Sequence, residues 1–214
     1  MKGLILKDVY LIKTQSKFLL VFGLIYGGLC LSGTMEPSFV SGLALMLTVS
    51  LSISTFSYDD LAHWEKYAAA TPAGRRGVVQ EKYLFTLIMV LAITAVTAIF
   101  NVVYSAVRRD FAQLPANLVA TALCVVMGLL IATVLLPLLF KFGAEKSRMM
   151  IILGTAAVAV IIFALFGLEQ AGLLPKSVPG WVVASLPVIA LGIVAVAFLF
   201  SYSISLKIYA KKEL

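Results

Sequence analysis

The sequence has very little charge. Only 13% of its 214 residues are Asp, Glu, Lys or Arg, whereas 62% are hydrophobic. A soluble domain has roughly 25% charged residues, so this chain lacks the polar residues that a water-exposed surface requires. The stretches that carry no charge and are long enough to cross a bilayer are 18–35, 37–58, 83–107, 111–140, 149–168 and 177–206.

Each of these stretches is close to the ~20 residues that a helix needs to cross the hydrocarbon core. None alternates polar and apolar residues as a barrel strand does. The sequence therefore predicts an all-α polytopic membrane protein with six transmembrane helices. The predicted spans are 18–35, 38–58, 83–107, 116–140, 149–168 and 181–203.

Motifs for catalysis and nucleotide binding are missing too. The sequence has no G-x-x-x-x-G-K-[ST] phosphate loop and no hydrolase or metalloprotease motif. Its only histidine is His63, and Cys30 and Cys124 show no metal-ligand spacing. None of the six predicted spans contains an Asp or Glu that could carry a proton, which argues against a proton-driven carrier. We expect no enzymatic activity, no cofactor and no metal in this chain, and an energy source elsewhere.

The distribution of basic residues predicts the orientation. With a cytoplasmic N-terminus, 14 of the 17 Lys and Arg residues fall on the cytoplasmic side, as the positive-inside rule requires. Both termini are then cytoplasmic. The net charge of +7 follows from this bias, so it does not call for a nucleic-acid partner.

One cytoplasmic segment, residues 59–82, concentrates charge between the second and third spans. Asp59 or Asp60 is suited to cap a new helix. Three alanines favour that helix up to about Ala70, and Pro72 stops it.

Large apolar side chains recur at helical spacing in this segment, at Leu61, Trp64 and Tyr67. Two interpretations are open. The aromatic side chains could lie in the lipid headgroups, or they could anchor a protein partner, because exposed Trp and Tyr are typical of binding sites. The N-terminal residues 1–17 are loosely amphipathic, with Ile5 and Val9 on one face, and predict a helix lying on the membrane surface.

Several motifs in these segments resemble those of small six-helix ABC-2 transporter permeases. The cytoplasmic segment of such permeases has an acidic residue, a W-x-x-Y-like pair, a Pro-containing turn with Arg, and K-Y at the start of the third span. In this chain they read Asp59-Asp60, Trp64-x-x-Tyr67, Thr71-Pro72-Ala73-Gly74-Arg75 and Lys82-Tyr83. The opening LILKDVYLIKTQSK is similar to the family's start, with its Lys-Asp pair in a short helix.

The resemblance implies that the segment is a coupling helix, which docks on a separate ATPase subunit. The residues implied for ATPase binding are Asp60, Leu61, Trp64, Glu65, Tyr67, Pro72 and Arg75. Residues 1–17 would be the family's elbow helix. Two permeases, identical or homologous, would work with two ATPases that hold ATP and Mg²⁺. The resemblance also implies a bacterial cytoplasmic membrane and export of an amphipathic peptide, toxin or drug.

Polar residues within the spans are mostly hydroxyl and amide side chains. Ser50, Ser54 and Ser57 share one face of the second span, and Asn101 lies in the third. They could line a substrate pathway or support tight helix packing. Arg75, Arg76 and Lys82 are expected at the membrane surface, near anionic lipid.

An immunity or scaffold protein that does not transport is the alternative function. Such a protein would bind a peptide or a partner without an ATPase. Gene order would separate the two, because an adjacent ATPase gene supports the permease.

Overall fold

The computed structural model describes residues 2–64, 67, 74–170 and 180–211. Regular structure in this part of the chain is helical throughout. Its long helices are α1 (Lys2–Leu31), α2 (Pro37–Leu61), α3 (Gly74–Arg108), α4 (Leu114–Gln170) and α5 (Gly180–Lys211). We call the end of the bundle where α2 finishes and α3 begins the charged end, and the other the opposite end.

Among the described residues, four segments are long and apolar enough to cross a membrane: Pro37–Leu61, Gly74–Arg108, Leu114–Ser147 and Leu191–Lys211. They overlap the predicted second, third, fourth and sixth spans. A shorter apolar stretch, Leu20–Leu31, lies within the predicted first span. An all-helical, multi-pass architecture is therefore confirmed, whereas the count of six spans and the cytoplasmic placement of the termini stay predictions.

Residues 1–17 and 18–35 were expected to form separate units, a surface helix and a span. In the structure α1 runs without interruption from Lys2 to Leu31 across that predicted boundary. Whether its first half lies on the membrane surface stays a prediction.

The predicted break between the fourth and fifth spans is present within α4, where two helical segments meet at a kink. Gly143, inside the expected connection at 141–148, departs from helical dihedral angles, with φ 77° and ψ 177°. Residues other than glycine are strongly disfavoured at these values of φ and ψ. The expected connection is therefore a kink at this glycine, and its placement on the cytoplasmic side stays a prediction.

The expected start of the coupling helix at Asp59 or Asp60 is also wrong. Both residues lie in the last turn of α2, which ends at Leu61. The chain turns through His63, whose φ of 49° is left-handed. Trp64 and Tyr67 are helical, while Glu65 and Pro72 lie outside the described residues.

Aromatic and aliphatic side chains form the core near the charged end. The ring of Phe140 lies 5.1 Å from that of Phe56 and 5.4 Å from that of Tyr209, in edge-to-face contacts that suit aromatic pairs. Tyr83 packs against Phe198 in the same way, at 5.0 Å. These contacts join α2, α3, α4 and α5 directly beside the charged residues.

A buried charge cluster beside the candidate docking segment

Four charged residues from three helices meet at the charged end, and we call them the charge cluster: Lys7, Asp8, Asp59 and Lys82. The Lys82 ammonium lies 2.6 Å from Asp8 Oδ2 and 2.7 Å from Asp59 Oδ2. Lys82 is 2% exposed and Asp8 0%. Because buried ions are costly without partners, this pairing is what makes their burial tolerable.

Lys7 extends the cluster to residues 61–67, which we call the candidate docking segment. Its ammonium donates to the Asp59 carboxylate and lies 3.2 Å from Asp8 Oδ1. The same ammonium sits over the Trp64 ring, 4.9 Å from the centroid, in a cation–π contact. Lys7 therefore connects α1 to the end of α2 and to Trp64 at once.

The expectation that Lys82 binds lipid headgroups is wrong. Its side chain points into the bundle, where it pairs with two carboxylates and lies over the Phe56 ring at 5.0 Å. The neighbouring Glu81 is buried as well, at 2% exposure. Lys82 thus lies among other helices because carboxylates from α1 and α2 are there to pair with it.

Asp60 caps a helix, but not the one that the sequence suggested. Its Oδ2 accepts a hydrogen bond of 2.8 Å from the backbone N–H of Ala144, the first residue after the break in α4. A Cβ on Gly143 would come within 3.2 Å of the same oxygen. The glycine therefore permits both the left-handed backbone and the close approach of Asp60, and the contact joins α2 to α4.

The expected apolar stripe of the docking segment is divided between two environments. Leu61 is 79% exposed and Tyr67 67% exposed. Trp64 is partly buried and packs against the core. Two large apolar side chains therefore protrude from the charged end, while Trp64 holds the segment to the body.

A cavity of about 460 Å³ opens next to Leu61 and has an acidic lining. Asp60 and Glu145 contribute the carboxylates, and Ser54 and Ser57 contribute hydroxyls. Each serine hydroxyl also donates to a backbone carbonyl one turn earlier, Ser54 to that of Ser50 at 2.9 Å. Ser50 itself is exposed.

Asn101 lies near the opposite end and takes part in helix contacts. It is fully buried, and its Nδ2 donates to Thr121 Oγ1 at 2.9 Å. Thr121 in turn shares a hydrogen bond of 2.9 Å with Ser41. The three side chains join α2, α3 and α4, while Asn101 Oδ1 is buried and has no hydrogen-bond partner among the described residues.

Arg75 is held against the last helix. Its guanidinium donates to the backbone carbonyl of Ala210 in α5, at 2.7 Å. A cation suits this position, since the last carbonyls of a helix carry partial negative charge. Arg75 thereby joins the start of α3 to the end of α5 at the charged end.

Sequence reasoning missed the charge cluster although it had noted all of its members as motif residues. The available signal was the placement of opposite charges beside the ends of three spans, at Lys7-Asp8, Asp59 and Lys82. A contact between positions 74 residues apart, such as Asp8 and Lys82, cannot be read from helical periodicity.

Comparison with known proteins identifies the family of this chain. A family model described as "ABC-2 family transporter protein" matches residues 3–210, a range that includes the charge cluster and the docking segment. Neither a curated protein nor a solved structure gives a significant match. Since the match spans nearly the whole chain and agrees with its multi-pass helical fold, the chain belongs to the ABC-2 transporter family as a membrane permease.

Proposed function

We propose that this permease is the membrane half of an ABC exporter, and that a separate ATPase docks on the exposed part of residues 61–67. Leu61 and Tyr67 carry the proposal. They are 79% and 67% exposed, and they follow the charged pair Asp59-Asp60, which is unsuited to the hydrocarbon core. Large apolar side chains that protrude beyond a membrane span fit a protein partner.

The acidic cavity beside Leu61 completes the docking surface. Its carboxylates, Asp60 and Glu145, lie next to the exposed apolar side chain of Leu61. Such a combination suits a groove with a basic rim on the ATPase. Tyr58, 43% exposed, lines the same cavity. Apolar contact would supply affinity, and the charges would set the orientation.

The charge cluster gives the docked segment a mechanical connection to the bundle. Trp64 lies against Lys7 of α1, and Lys7 pairs with Asp59 at the end of α2. Lys82 joins the same carboxylate to α3, and Asp60 reaches α4. A force applied at Leu61 and Tyr67 therefore acts on four helices.

ATP and Mg²⁺ belong to the ATPase in this proposal, because the permease sequence has no phosphate loop. Two permeases, identical or homologous, would enclose the pathway, with one ATPase on each. Helices α1 and α2, and likewise α3 and α4, are joined by only about five residues at the opposite end. Among the connections that the structure describes at this end, neither is long enough to form a platform for a binding protein, which favours export of an amphipathic or hydrophobic peptide, toxin or drug.

Co-purification with the ATPase subunit tests the proposal. The double variant Leu61→Ala, Tyr67→Ala should lower the affinity at least tenfold, as is typical when binding anchors are truncated. Phe111→Ala is the matched control, because Phe111 is 58% exposed at the opposite end. Undiminished association of the double variant would refute the docking surface. Failure of the wild-type chain to recruit any ATPase would instead favour the immunity or scaffold alternative.

A further inference from the structure

A second cavity at the charged end, of about 340 Å³, lies between the start of α3 and the end of α5. Its polar wall consists of Arg75, Arg76, Gln80 and Lys207. Its other wall includes Tyr202 and Leu206, both in the last part of α5. The cavity thus has a basic part and an apolar part side by side.

The charge of this cavity is opposite to that of the cavity beside Leu61. Three cations line it, and no carboxylate appears in its described lining. The cavity beside Leu61 has two carboxylates and no cation in its described lining. The two sites would therefore select ligands of opposite charge.

The basic wall has one fixed member and two accessible ones. Arg75 uses one N–H to hold the Ala210 carbonyl at 2.7 Å, and this bond leaves further donors on its planar guanidinium. Arg76 and Lys207 are exposed and lie on either side of the cavity, on α3 and α5. Guanidinium and ammonium groups in such an arrangement suit a phosphate group, which accepts several charge-assisted hydrogen bonds.

The cavity also lies where a lipid headgroup would. Helix α5 is apolar enough to cross the membrane over Leu191–Lys211, and Lys207 and Lys211 end it. Basic residues at the end of a span lie at headgroup level, with aromatic residues such as Tyr202 nearby. Acyl chains would then contact Leu206 and the apolar surface of α5.

We propose that this cavity binds the phosphate headgroup of an anionic phospholipid from the adjoining leaflet, with Arg75, Arg76 and Lys207 as its ligands. The bound lipid neutralises the crowded cations and holds the start of α3 against the end of α5. The site is separate from Leu61 and Tyr67, so it does not depend on ATPase docking. A free phosphate offers the same headgroup chemistry but lacks the apolar contacts.

Native mass spectrometry of the detergent-purified chain tests the site, with phosphatidylglycerol and phosphatidylcholine titrated separately. We expect a saturable complex with phosphatidylglycerol and at least tenfold weaker binding of phosphatidylcholine. Each basic residue near an anionic lipid contributes about fivefold in affinity. Arg76→Gln with Lys207→Gln should therefore weaken phosphatidylglycerol binding by about 25-fold, and Lys207→Gln alone by about fivefold.

The control Lys141→Gln with Lys146→Gln removes the same charge from exposed positions outside the cavity and should leave the affinity unchanged. Equal losses in both double variants would overturn the proposal, because the attraction would then be a general effect of charge. Displacement of the lipid by millimolar inorganic phosphate would overturn the lipid as the ligand. The single variant Lys207→Gln, at an exposed position, keeps the test decisive if the double variant does not fold.

Discussion

The two ends of this helix bundle are held together by different forces. At the charged end, buried ions pair directly, and Lys82 alone contacts carboxylates from two other helices at 2.6 and 2.7 Å. At the opposite end, the buried neutral side chains of Asn101, Thr121 and Ser41 form polar contacts between helices. An apolar cavity of about 480 Å³, lined by Gly27 and Phe100 among others, separates α1, α2 and α3 in that half.

The difference indicates which half of the bundle is rigid and which half can rearrange. Removing one member of a buried ion pair costs about 3–5 kcal/mol, whereas a hydrogen bond between helices in a membrane contributes about 0.6 kcal/mol on average. The charged end should therefore move as one unit with the docking segment. The opposite end, with weaker bonds and open apolar space, is the half that can rearrange.

The largest expected effect comes from breaking the charge cluster. Lys82→Met leaves Asp8 and Asp59 buried without their main partner, so we expect the free energy of unfolding to fall by about 3–5 kcal/mol. Unfolding of the reconstituted chain by SDS titration measures this. Lys141→Met is the control, since Lys141 is exposed and should change stability by less than about 0.5 kcal/mol. Equal stability of the two variants would mean that the cluster does not hold the charged end together.

A smaller loss is expected from Gly143→Ala. Alanine is strained at φ 77° and ψ 177°, and its Cβ would approach Asp60 Oδ2 to 3.2 Å, so we expect a loss of about 1–3 kcal/mol. The same unfolding titration applies. Gly42→Ala is the matched control, because nothing lies within 4 Å of its added Cβ, and it should be neutral or stabilising. A neutral Gly143→Ala would show that Asp60 does not require the glycine.

The smallest effect should come from the opposite end. Asn101→Leu removes the hydrogen bond to Thr121 and introduces an apolar side chain of similar size. We expect the free energy of unfolding to fall by about 0.6 kcal/mol. A double-mutant cycle with Thr121→Val isolates the coupling between the two side chains. A coupling as large as that of the charge cluster would erase the contrast between the two ends.

Much of the fold could be predicted because lipid imposes strong constraints on sequence. The spans at 38–58 and 83–107 follow from the absence of charge alone, and the structure places helices there. The break in α4 lies within the predicted connection at 141–148, but its form as a kink could not be predicted, because it depends on Asp60 reaching Ala144 across the bundle. Residues 141–148 around Gly143 are rich in charge and follow a span, a pattern that indicates a loop equally well.

The candidate site was predicted in part for the same reason. Leu61 and Tyr67 are exposed because they lie at the end of α2 and after it, and the docking of a partner on them stays a proposal. Trp64 differs because Lys7, 57 residues earlier, offers its ammonium to the ring. Sequence spacing reports which residues share a helix face, but it does not report which face another helix covers.

The central claim is that Lys7 fastens the docking segment to the charged end, and a spin-label distance measurement tests it most directly. Labels at Tyr67 and Lys13, both exposed, can be placed in a background without Cys30 and Cys124. We predict one narrow distance distribution for the wild-type cluster and a clearly broader one for Lys7→Gln, which loses the ion pair with Asp59 and the contact with Trp64. Distributions of equal width would contradict the claim.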